Sequence, residues 1–446
     1  MNWQPTKLSD IVKIKHGYPF KSKLCTEERA GGPIVVSVGN FSYAGGFRFN
    51  ETRVREYLGD YPSEFELAPG DVLLIMTCQT SGGEILGVPG RIPDDGLVYL
   101  HNQRLGKVEV LDTTAAYLPY LYWLFLYPQF NNHLFQTASG TKILHTAPKR
   151  IESFEFTLPP LSEQKRIAAV LGTLDDKIEN NRKMNETLEA MAQAIFKSWF
   201  VDFAPVIDNA LCAGNPIPAD LEDKAARRSE VMARDSYKKQ PYAHLFPDHF
   251  VGSDLGSIPA GCDVGNVGDL LFLQRGFDIT RKQQIPGPIP VVSSSGVRSF
   301  HNSAKIERPG IVIGRKGTLG TVFRIEQPHW PHDTTLWVKD FKGNPMEFTF
   351  WFLRNLSVER LNVGSANPTL NRNHVHAIST LVPKQSWISC FSDFTRVLHS
   401  KIDLNQEESR TLASLRDTLL PKLISGEIRI PEIESLVEET LVEAHA

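Results

Sequence analysis

Residues 158–200 read "LPPLSEQKRIAAVLGTLDDKIENNRKMNETLEAMAQAIFKSWF", and residues 382–424 read "VPKQSWISCFSDFTRVLHSKIDLNQEESRTLASLRDTLLPKLI". The two stretches are related by a constant offset of 224 residues. In the first, positions spaced alternately by four and three are Leu174, Ile178, Asn181, Asn185, Leu188, Ala192, Ile195 and Trp199. The same offset gives Leu398, Ile402, Asn405, Ser409, Leu412, Arg416, Leu419 and Leu423. This spacing predicts two long helices, each with one face that is mostly apolar.

Each predicted helix needs a partner for that face. Some 40 residues make a rod of roughly 60 Å, and a seam of this period packs against a facing helix. The other copy is the obvious partner, so we expect an antiparallel coiled coil with pseudo-twofold symmetry. Asn181 and Asn405 lie near the helix midpoints and should then meet or nearly meet. A buried polar pair lowers stability but fixes register, whereas the alternative is that both asparagines face solvent.

The sequence outside these two stretches also contains a repeat. "LSDIVKIKHGYPFKS" at 8–22 returns as "VGDLLFLQRGFDITR" at 267–281, and "LAPGDVLLI" at 67–75 returns as "ERPGIVIGR" at 307–315. This alignment places Gly17 over Gly276 and Tyr18 over Phe277. Short β-branched runs between Gly and Pro residues predict β-rich globular parts. The expected fold class is therefore α/β (α+β), with two mixed domains that are each followed by a long helix.

The duplication predicts the domain boundaries. We expect a first globular domain at 1–160, a long helix at 161–203, a connector at 204–258, a second globular domain at 259–384, a second long helix at 385–425 and an acidic tail at 426–446. The connector is rich in Pro, Gly and mixed charge, and we expect it to hold one short helix near 219–236.

Composition narrows the function only slightly. The net charge is -3, but residues 427–446 alone carry -5, so charge neither supports nor excludes a polyanion partner. The longest apolar run, at 117–128, is too short for a bilayer span, and the N-terminus lacks the order of a secretory signal. A cytoplasmic location without membrane attachment is expected. The five scattered cysteines have no C-x-x-C pair, which disfavours a zinc site.

The sequence contains little that predicts catalysis. A Walker A loop, a dinucleotide fingerprint and the "NPPY"-type tetrapeptide of amino-methyltransferases are all missing. The tripeptide "DDK" at 175–177 resembles a nuclease motif, but it lies within a predicted helix, where a charged surface is the better interpretation. We therefore predict a non-catalytic chain with no catalytic residue, metal ligand or cofactor of its own.

Polar loops at equivalent places in both copies are the candidates for binding. They are "MTCQTSGG" at 76–83, "SGTKILHTAPKR" at 139–150, "GRKGTLG" at 314–320 and "ANPTLNRNH" at 366–374. Arg, Lys, Asn and Gln have the geometry to contact base edges and phosphates. The candidate DNA-binding residues are Gln79, Thr80, Ser81, Arg104, Lys142, His145, Lys149, Arg150, Arg315, Lys316, Asn367, Asn371 and Arg372.

With the duplication in view, the chain resembles the DNA-specificity subunits of Type I restriction-modification systems. The most typical segments are "LPPLSEQKRIAAVLGTLDDKIENNRKMNETLEAMAQAIFKSWFVDF" and "LFPDHFVGSDLGSIPAGCDVGNVGDL". One departure is Cys262, which stands where the first copy has Trp3 and where the family usually has Trp.

The resemblance implies a subunit in which each globular domain reads half of a split site on double-stranded DNA, while the helices set the spacer. It also implies partners: two methylase subunits that use S-adenosylmethionine and dock on the helices, and a motor-nuclease subunit that uses ATP and magnesium. A rival interpretation is a non-catalytic coiled-coil scaffold with two ligand-binding β-rich domains.

Overall fold

The computed structural model of the chain describes residues 3–28, 31–42, 45–47, 55–238, 240–356, 358 and 369–430. The chain divides into two compact units. Unit 1 comprises Met1–Asn181 and Gln406–Ala446, and unit 2 comprises Arg182–Asn405. Each unit therefore contains one globular part and one half of each long helix.

Unit 1 combines short strands with helices. The described strands are β1 (Gln4–Lys7), β2 (Val12–His16), β3 (Cys25–Thr26), β4 (Ile34–Val35), β5 (Glu56–Tyr57), β6 (Glu66–Leu67), β7 (Val72–Ile75), β8 (Thr77–Cys78), β9 (Pro89–Arg91), β10 (Tyr99–Leu100), β11 (Leu105–Val110), β12 (Leu144–His145) and β13 (Glu155–Leu158). The described helices are α1 (Leu118–Phe125), α2 (Pro128–Thr137), α3 (Pro148–Glu152) and the start of the long helix α4 (Leu161–Phe200).

The core of unit 1 lies on a four-stranded antiparallel sheet with the order β2-β11-β7-β9. Every residue of β7 is buried, as expected for a strand covered on both faces. The apolar run noted above forms α1, whose residues Tyr120, Leu121 and Leu124 are fully buried in this core. A second sheet has the order β3-β5-β4-β10-β6, and two further pairs are β1-β13 and β8-β12.

Unit 2 is built from a similar set. The described helices are α5 (Ala204–Ala213), α6 (Glu222–Met232), α7 (Val267–Leu270), α8 (Met346–Asn355), α9 (Arg372–His376) and the start of α10 (Gln385–Ser425). The described strands are β14 (Phe250–Ser253), β15 (Gly256–Pro259), β16 (Asp263–Asn266), β17 (Phe272–Arg275), β18 (Ile289–Ser293), β19 (Gly296–His301), β20 (Gly310–Gly314), β21 (Val322–Ile325), β22 (Trp330–Pro331), β23 (Thr335–Asp340) and β24 (Ser379–Val382).

The sheets of unit 2 repeat those of unit 1. The order β17-β23-β20-β21 corresponds to β2-β11-β7-β9, and the antiparallel pair β16-β24 corresponds to β1-β13. Parallel pairing recurs between β4 and β10 and between β18 and β22. Each unit is thus a mixed α+β domain joined to a long helix, which confirms the fold class predicted from the sequence.

The aligned glycines Gly17 and Gly276 hold the same backbone crossing in each unit. Tyr18 bridges to Asn102, and Phe277 bridges to His332, both in parallel. A Cβ atom at Gly17 would overlap the carbonyl oxygen of Asn102, and one at Gly276 would overlap that of His332. Only glycine fits these positions without moving backbone.

We predict opposite effects for two Gly→Ala substitutions. Gly276→Ala should lower the free energy of unfolding by about 1–3 kcal/mol, because the new methyl group must push the crossing strands apart. Gly172→Ala in α4 meets nothing within 4 Å, and it should raise that free energy by about 0.5–1 kcal/mol, because alanine is the better helix former. Urea denaturation of both variants measures the effects. An unchanged free energy of unfolding in Gly276→Ala would contradict the close backbone crossing at this glycine.

The long helices pair antiparallel within each unit. In unit 1 Asp175 of α4 pairs with Arg416 of α10 at 2.6 Å, and Lys177 pairs with Glu408 at 3.3 Å. In unit 2 the rings of Phe196 and Phe391 lie 5.6 Å apart. All sixteen positions of the predicted seam are buried or half-buried, so the seam is confirmed. In the described part of the chain, none of the helices is both long and apolar enough to cross a membrane.

The connector is more structured than the sequence predicted. It contains the two helices α5 and α6, whereas we expected one. Val206 is fully buried, and Phe246 and Ile258 are 5% exposed in the core of unit 2. The segment is therefore packed onto the second globular part, because its apolar residues have a core to enter.

The departure at Cys262 is accompanied by a tryptophan on α10 in the same core. In unit 1 the indole of Trp3 donates to Glu163 of α4 at 2.9 Å. In unit 2 Cys262 is buried, and Trp387, which is equivalent to Glu163 by the 224-residue offset, is fully buried and donates to the carbonyl oxygen of Leu245 at 2.7 Å. The two junctions therefore differ, since unit 1 has its tryptophan at the strand end and unit 2 has one on the helix.

Candidate nucleic-acid interface

Three segments of unit 1 meet where the central strands end. The backbone N–H of Met76 donates to the carbonyl oxygen of Arg104 at 2.9 Å, and the N–H of Thr146 donates to that of Met76 at 2.9 Å. Strand β8 pairs with β12, with Thr77 opposite His145. The loop after β8 and the loop before β12 are therefore held side by side.

The predicted side chains of unit 1 are mostly exposed on these loops. The exposed residues among them are Gln79, Thr80, Ser81, Arg104, Lys142, His145 and Lys149, whereas Arg150 is half-buried. Arg150 donates to the hydroxyl of Ser139 at 3.2 Å and to the carbonyl oxygen of His145 at 3.3 Å. Part of its guanidinium thus supports the loop that carries Lys142 and His145.

One polar contact organises the loop after β8. The Thr80 hydroxyl donates to the Glu84 carboxylate, and this bond lowers the pKa of Glu84. The Thr80 oxygen also lies 3.1 Å from the Cys78 sulfur. The loop is therefore held at its base, while Gln79 and Ser81 remain exposed.

Unit 2 repeats this backbone arrangement. The N–H groups of Arg315 and Lys316 donate to the carbonyl oxygen of Thr334 at 2.9 and 3.0 Å, and the N–H of Leu370 donates to that of Arg315 at 2.9 Å. Arg315, Thr334 and Leu370 thus correspond to Met76, Arg104 and Thr146, which shifts the sequence alignment of these strands by one residue, since that alignment places Arg315 over Ile75. The repeat places a basic pair, Arg315 and Lys316, at this strand end in unit 2.

The guanidinium of Arg315 is held in a positive environment. It donates to the carbonyl oxygen of Asp333 at 3.3 Å. Burial lowers the pKa of Arg315, and repulsion from Arg275 lowers it further, although Asp333 acts in the opposite direction. A hydrogen-bond acceptor from outside, such as a phosphate oxygen or a guanine edge, would relieve this repulsion.

The remaining candidates of unit 2 lie at the start of α9. Asn371 caps this helix by accepting the N–H of Asn373 at 3.0 Å, so its side-chain oxygen has a structural role. Arg372 is exposed, with its guanidinium carbon 5.9 Å from the centre of the Phe272 ring. Asn367 lies outside the described residues. The DNA-binding roles of these side chains stay predictions.

The helix asparagines are buried rather than turned to solvent. Asn181 is 5% exposed and donates to Glu408 at 2.7 Å and to Ser409 at 3.3 Å in unit 1. Asn405 is 2% exposed and donates to Asn185 at 2.8 Å in unit 2. Every one of these bonds joins α4 to α10. The "DDK" tripeptide likewise contacts the facing helix through its Asp175 and Lys177 pairs, and not only solvent as we expected.

The structure also shows charged residues that the sequence did not single out. Arg275, Lys305 and Asp333 line one cleft together with Asp278 and Trp330. They come from separate segments and form no local motif. The only sequence signal was the aligned pair Tyr18 and Phe277, which marked this crossing in both copies.

Fold and site together define a duplicated recognition protein: two similar α+β domains that present polar loops at equivalent strand ends, each joined to paired long helices. Residues 1–190 match the family model "Type I restriction modification DNA specificity domain". The chain is 25% identical, over 62% of its length and 70% of the relative, to the specificity subunit of the Type I restriction enzyme HindI of Haemophilus influenzae. It is 23% identical, over 70% of both chains, to that of MjaIX of Methanocaldococcus jannaschii.

A solved structure supports the fold. The S subunit of a Type I restriction-modification system from M. genitalium superposes with a TM-score of 0.54 at 16% identity, over 95% of this chain and 96% of the other. The family model, the curated relatives and this structure together support a Type I restriction-modification specificity subunit. The resemblance noted in the sequence is therefore confirmed.

Proposed function

We propose that this chain is the non-catalytic DNA-recognition subunit of a Type I restriction-modification complex, in which each globular part reads one half of a bipartite site. The observation that carries this proposal is the repeated loop arrangement. Equivalent backbone hydrogen bonds hold exposed donors at the same strand ends in both units. Because the side chains differ, with Arg315 where unit 1 has Met76, the two half-sites should differ in sequence.

The helices suit a role as spacer and docking surface. Their pairing is antiparallel in each unit, and the 40-residue helix α4 contributes residues to both units. Buried amides at Asn181 and Asn405 favour one register, because a slip would strand an amide without a partner. A fixed register gives the spacer a fixed length.

The family suggests the partners. We propose that two methylase subunits, which use S-adenosylmethionine, dock on the helices, and that a motor-nuclease subunit using ATP and magnesium joins them. This chain itself contributes binding side chains and no cofactor. Since its ligand is cellular or invading DNA, we expect it to act in the cytoplasm.

A salt titration tests this function. The isolated chain should bind a duplex that contains the site weakly, because its net charge of -3 does not attract the DNA phosphates. Binding should become tight when the methylase partner is added. The affinity of the complex should fall steeply as salt increases, because phosphate contacts release counterions. Affinity that does not change with salt would favour the scaffold interpretation. No feature of the described residues favours that interpretation.

A further inference from the structure

Unit 2 contains an open cleft of about 470 Å³ beside the candidate interface. Its size falls within the range of sites that hold small organic groups. Arg275, Phe277, Asp278, Lys305, Trp330 and Asp333 line it. Its wall is continuous with the predicted DNA-binding strand end, because the carbonyl oxygen of Asp333 accepts from the guanidinium of Arg315.

One carboxylate of the cleft is held and the other is available. Asp333 accepts from Arg275 at 3.0 Å and lies 2.9 Å from Nδ1 of the buried His332. Asp278 is exposed, and its carboxylate has no hydrogen-bond or ion-pair partner among the described residues. Its oxygen lies within 4.8 Å of the polar atoms of His332 and Asp333. The cleft thus presents the fixed carboxylate of Asp333 beside the unpaired carboxylate of Asp278.

The charges of the cleft favour a neutral ligand that donates hydrogen bonds. The two carboxylates are balanced by Arg275 and Lys305, so neither a divalent cation nor a phosphate meets a large opposite charge. The Lys305 ammonium lies 4.8 Å from the centre of the Trp330 ring and 5.8 Å from that of Phe277. Because Trp330 is buried and Lys305 lies over both rings, the cleft offers its carboxylate acceptors, which match a nucleobase that carries an exocyclic amino group.

Unit 1 differs at the equivalent positions. Pro19 follows Tyr18 where Asp278 follows Phe277, and Gln103 follows Asn102 where Asp333 follows His332. The ring of Tyr18 packs 5.2 Å from that of Phe65 and 5.0 Å from that of Phe20. Unit 1 therefore has aromatic packing and no carboxylate pair at this place, so any ligand of the cleft is specific to unit 2.

We propose that this cleft receives the edge of an adenine or cytosine in the half-site read by unit 2, with Asp278 accepting a hydrogen bond from the exocyclic amino group and Asp333 serving as a second acceptor. This inference rests on the proposed function. Guanine and thymine present carbonyl oxygens in the major groove. Those oxygens are hydrogen-bond acceptors and would be repelled by the carboxylates of Asp278 and Asp333, so the cleft disfavours guanine and thymine.

Competition binding by the complex with its methylase partner tests the inference. Duplexes that differ at single positions are compared for the unmodified chain, for Asp278→Asn and for Asp254→Asn, a matched control at another exposed aspartate of unit 2. Asp278→Asn should reduce the preference for adenine or cytosine at one position roughly tenfold, because an amide can also donate to a carbonyl oxygen. Preferences in the other half-site, and all those of Asp254→Asn, should stay the same.

An unchanged preference in Asp278→Asn would overturn the inference while leaving bipartite recognition intact. Loss of the preference with EDTA and its recovery with Mn²⁺ would assign the carboxylates to a cation and also overturn it. Competition by free adenosine or cytidine would assign the cleft to a free nucleoside and would likewise overturn the inference. If the unmodified complex prefers no sequence at all, the proposed function itself fails.

Discussion

Removing residues 182–188 together with residues 402–408 should shorten the spacer of the recognised site by roughly three base pairs, because seven helical residues span about 10 Å and a base-pair step about 3.4 Å. These heptads are centred on Asn185 and Asn405, which contact each other. Their joint removal keeps the seam in phase and takes out Asn185 and Asn405 as a pair, while Asn181 loses its bond to Glu408 and keeps the one to Ser409. Binding to the original spacing should fall on the order of a hundredfold or more, since one half-site is then misplaced.

The half-sites themselves should not change in this variant. Methylated motifs in cells that express the shortened chain with its methylase would measure both spacer and half-sites. The double substitution Asn185→Leu with Asn405→Leu is the control of unchanged length, and its spacer should equal that of the unmodified chain. A shortened chain that keeps the old spacer, or one that alters a half-site, would contradict the role of the helices as a ruler.

Arg315→Ala should weaken binding by roughly 5- to 150-fold, the equivalent of about 1–3 kcal/mol for a base or phosphate contact. The guanidinium lies at a strand end whose neighbours Arg275 and Asp333 already pair with each other. DNA would supply the acceptor that relieves repulsion between Arg275 and Arg315. Any accompanying change in discrimination should lie in the half-site read by unit 2 and not in the other.

Lys339→Ala is the matched control, because it removes one positive charge from an exposed position on β23 of the same unit. It should change affinity little. Fluorescence anisotropy with duplexes mutated in one half-site at a time separates the two effects. Equal losses for the two variants would show that Arg315 contributes only overall charge.

The seam of the long helices could be predicted because its period is written twice within one chain. Each copy supplies both the apolar positions and the partner face, and the buried pattern follows them closely. The partners of the buried asparagines could not be predicted in the same way. Glu408 for Asn181 and Asn185 for Asn405 depend on the offset between antiparallel helices, which no local pattern contains.

The connector was misread because its composition is that of a linker. Pro205 lies in the first turn of α5 and Gly214 follows its last residue, but Val206, Ile207 and Ala210 within it follow helical spacing and are fully buried. That spacing was the available signal.

The cleft of unit 2 had no comparable signal. Arg275 and Asp333 are brought together by the β17-β23 pairing and the crossing at Gly276, and Lys305 is placed by the bridge between Ile306 and His329. Such a site depends on long-range pairing, and sequence spacing says nothing about it.

A methylation-sensitive sequencing map of cells that carry this chain with its methylase tests the central claim most directly. We predict a single modified motif made of two different specified blocks separated by a fixed number of unspecified base pairs. A continuous motif with no spacer, or no motif at all, would contradict the account of two recognition domains on a helical ruler.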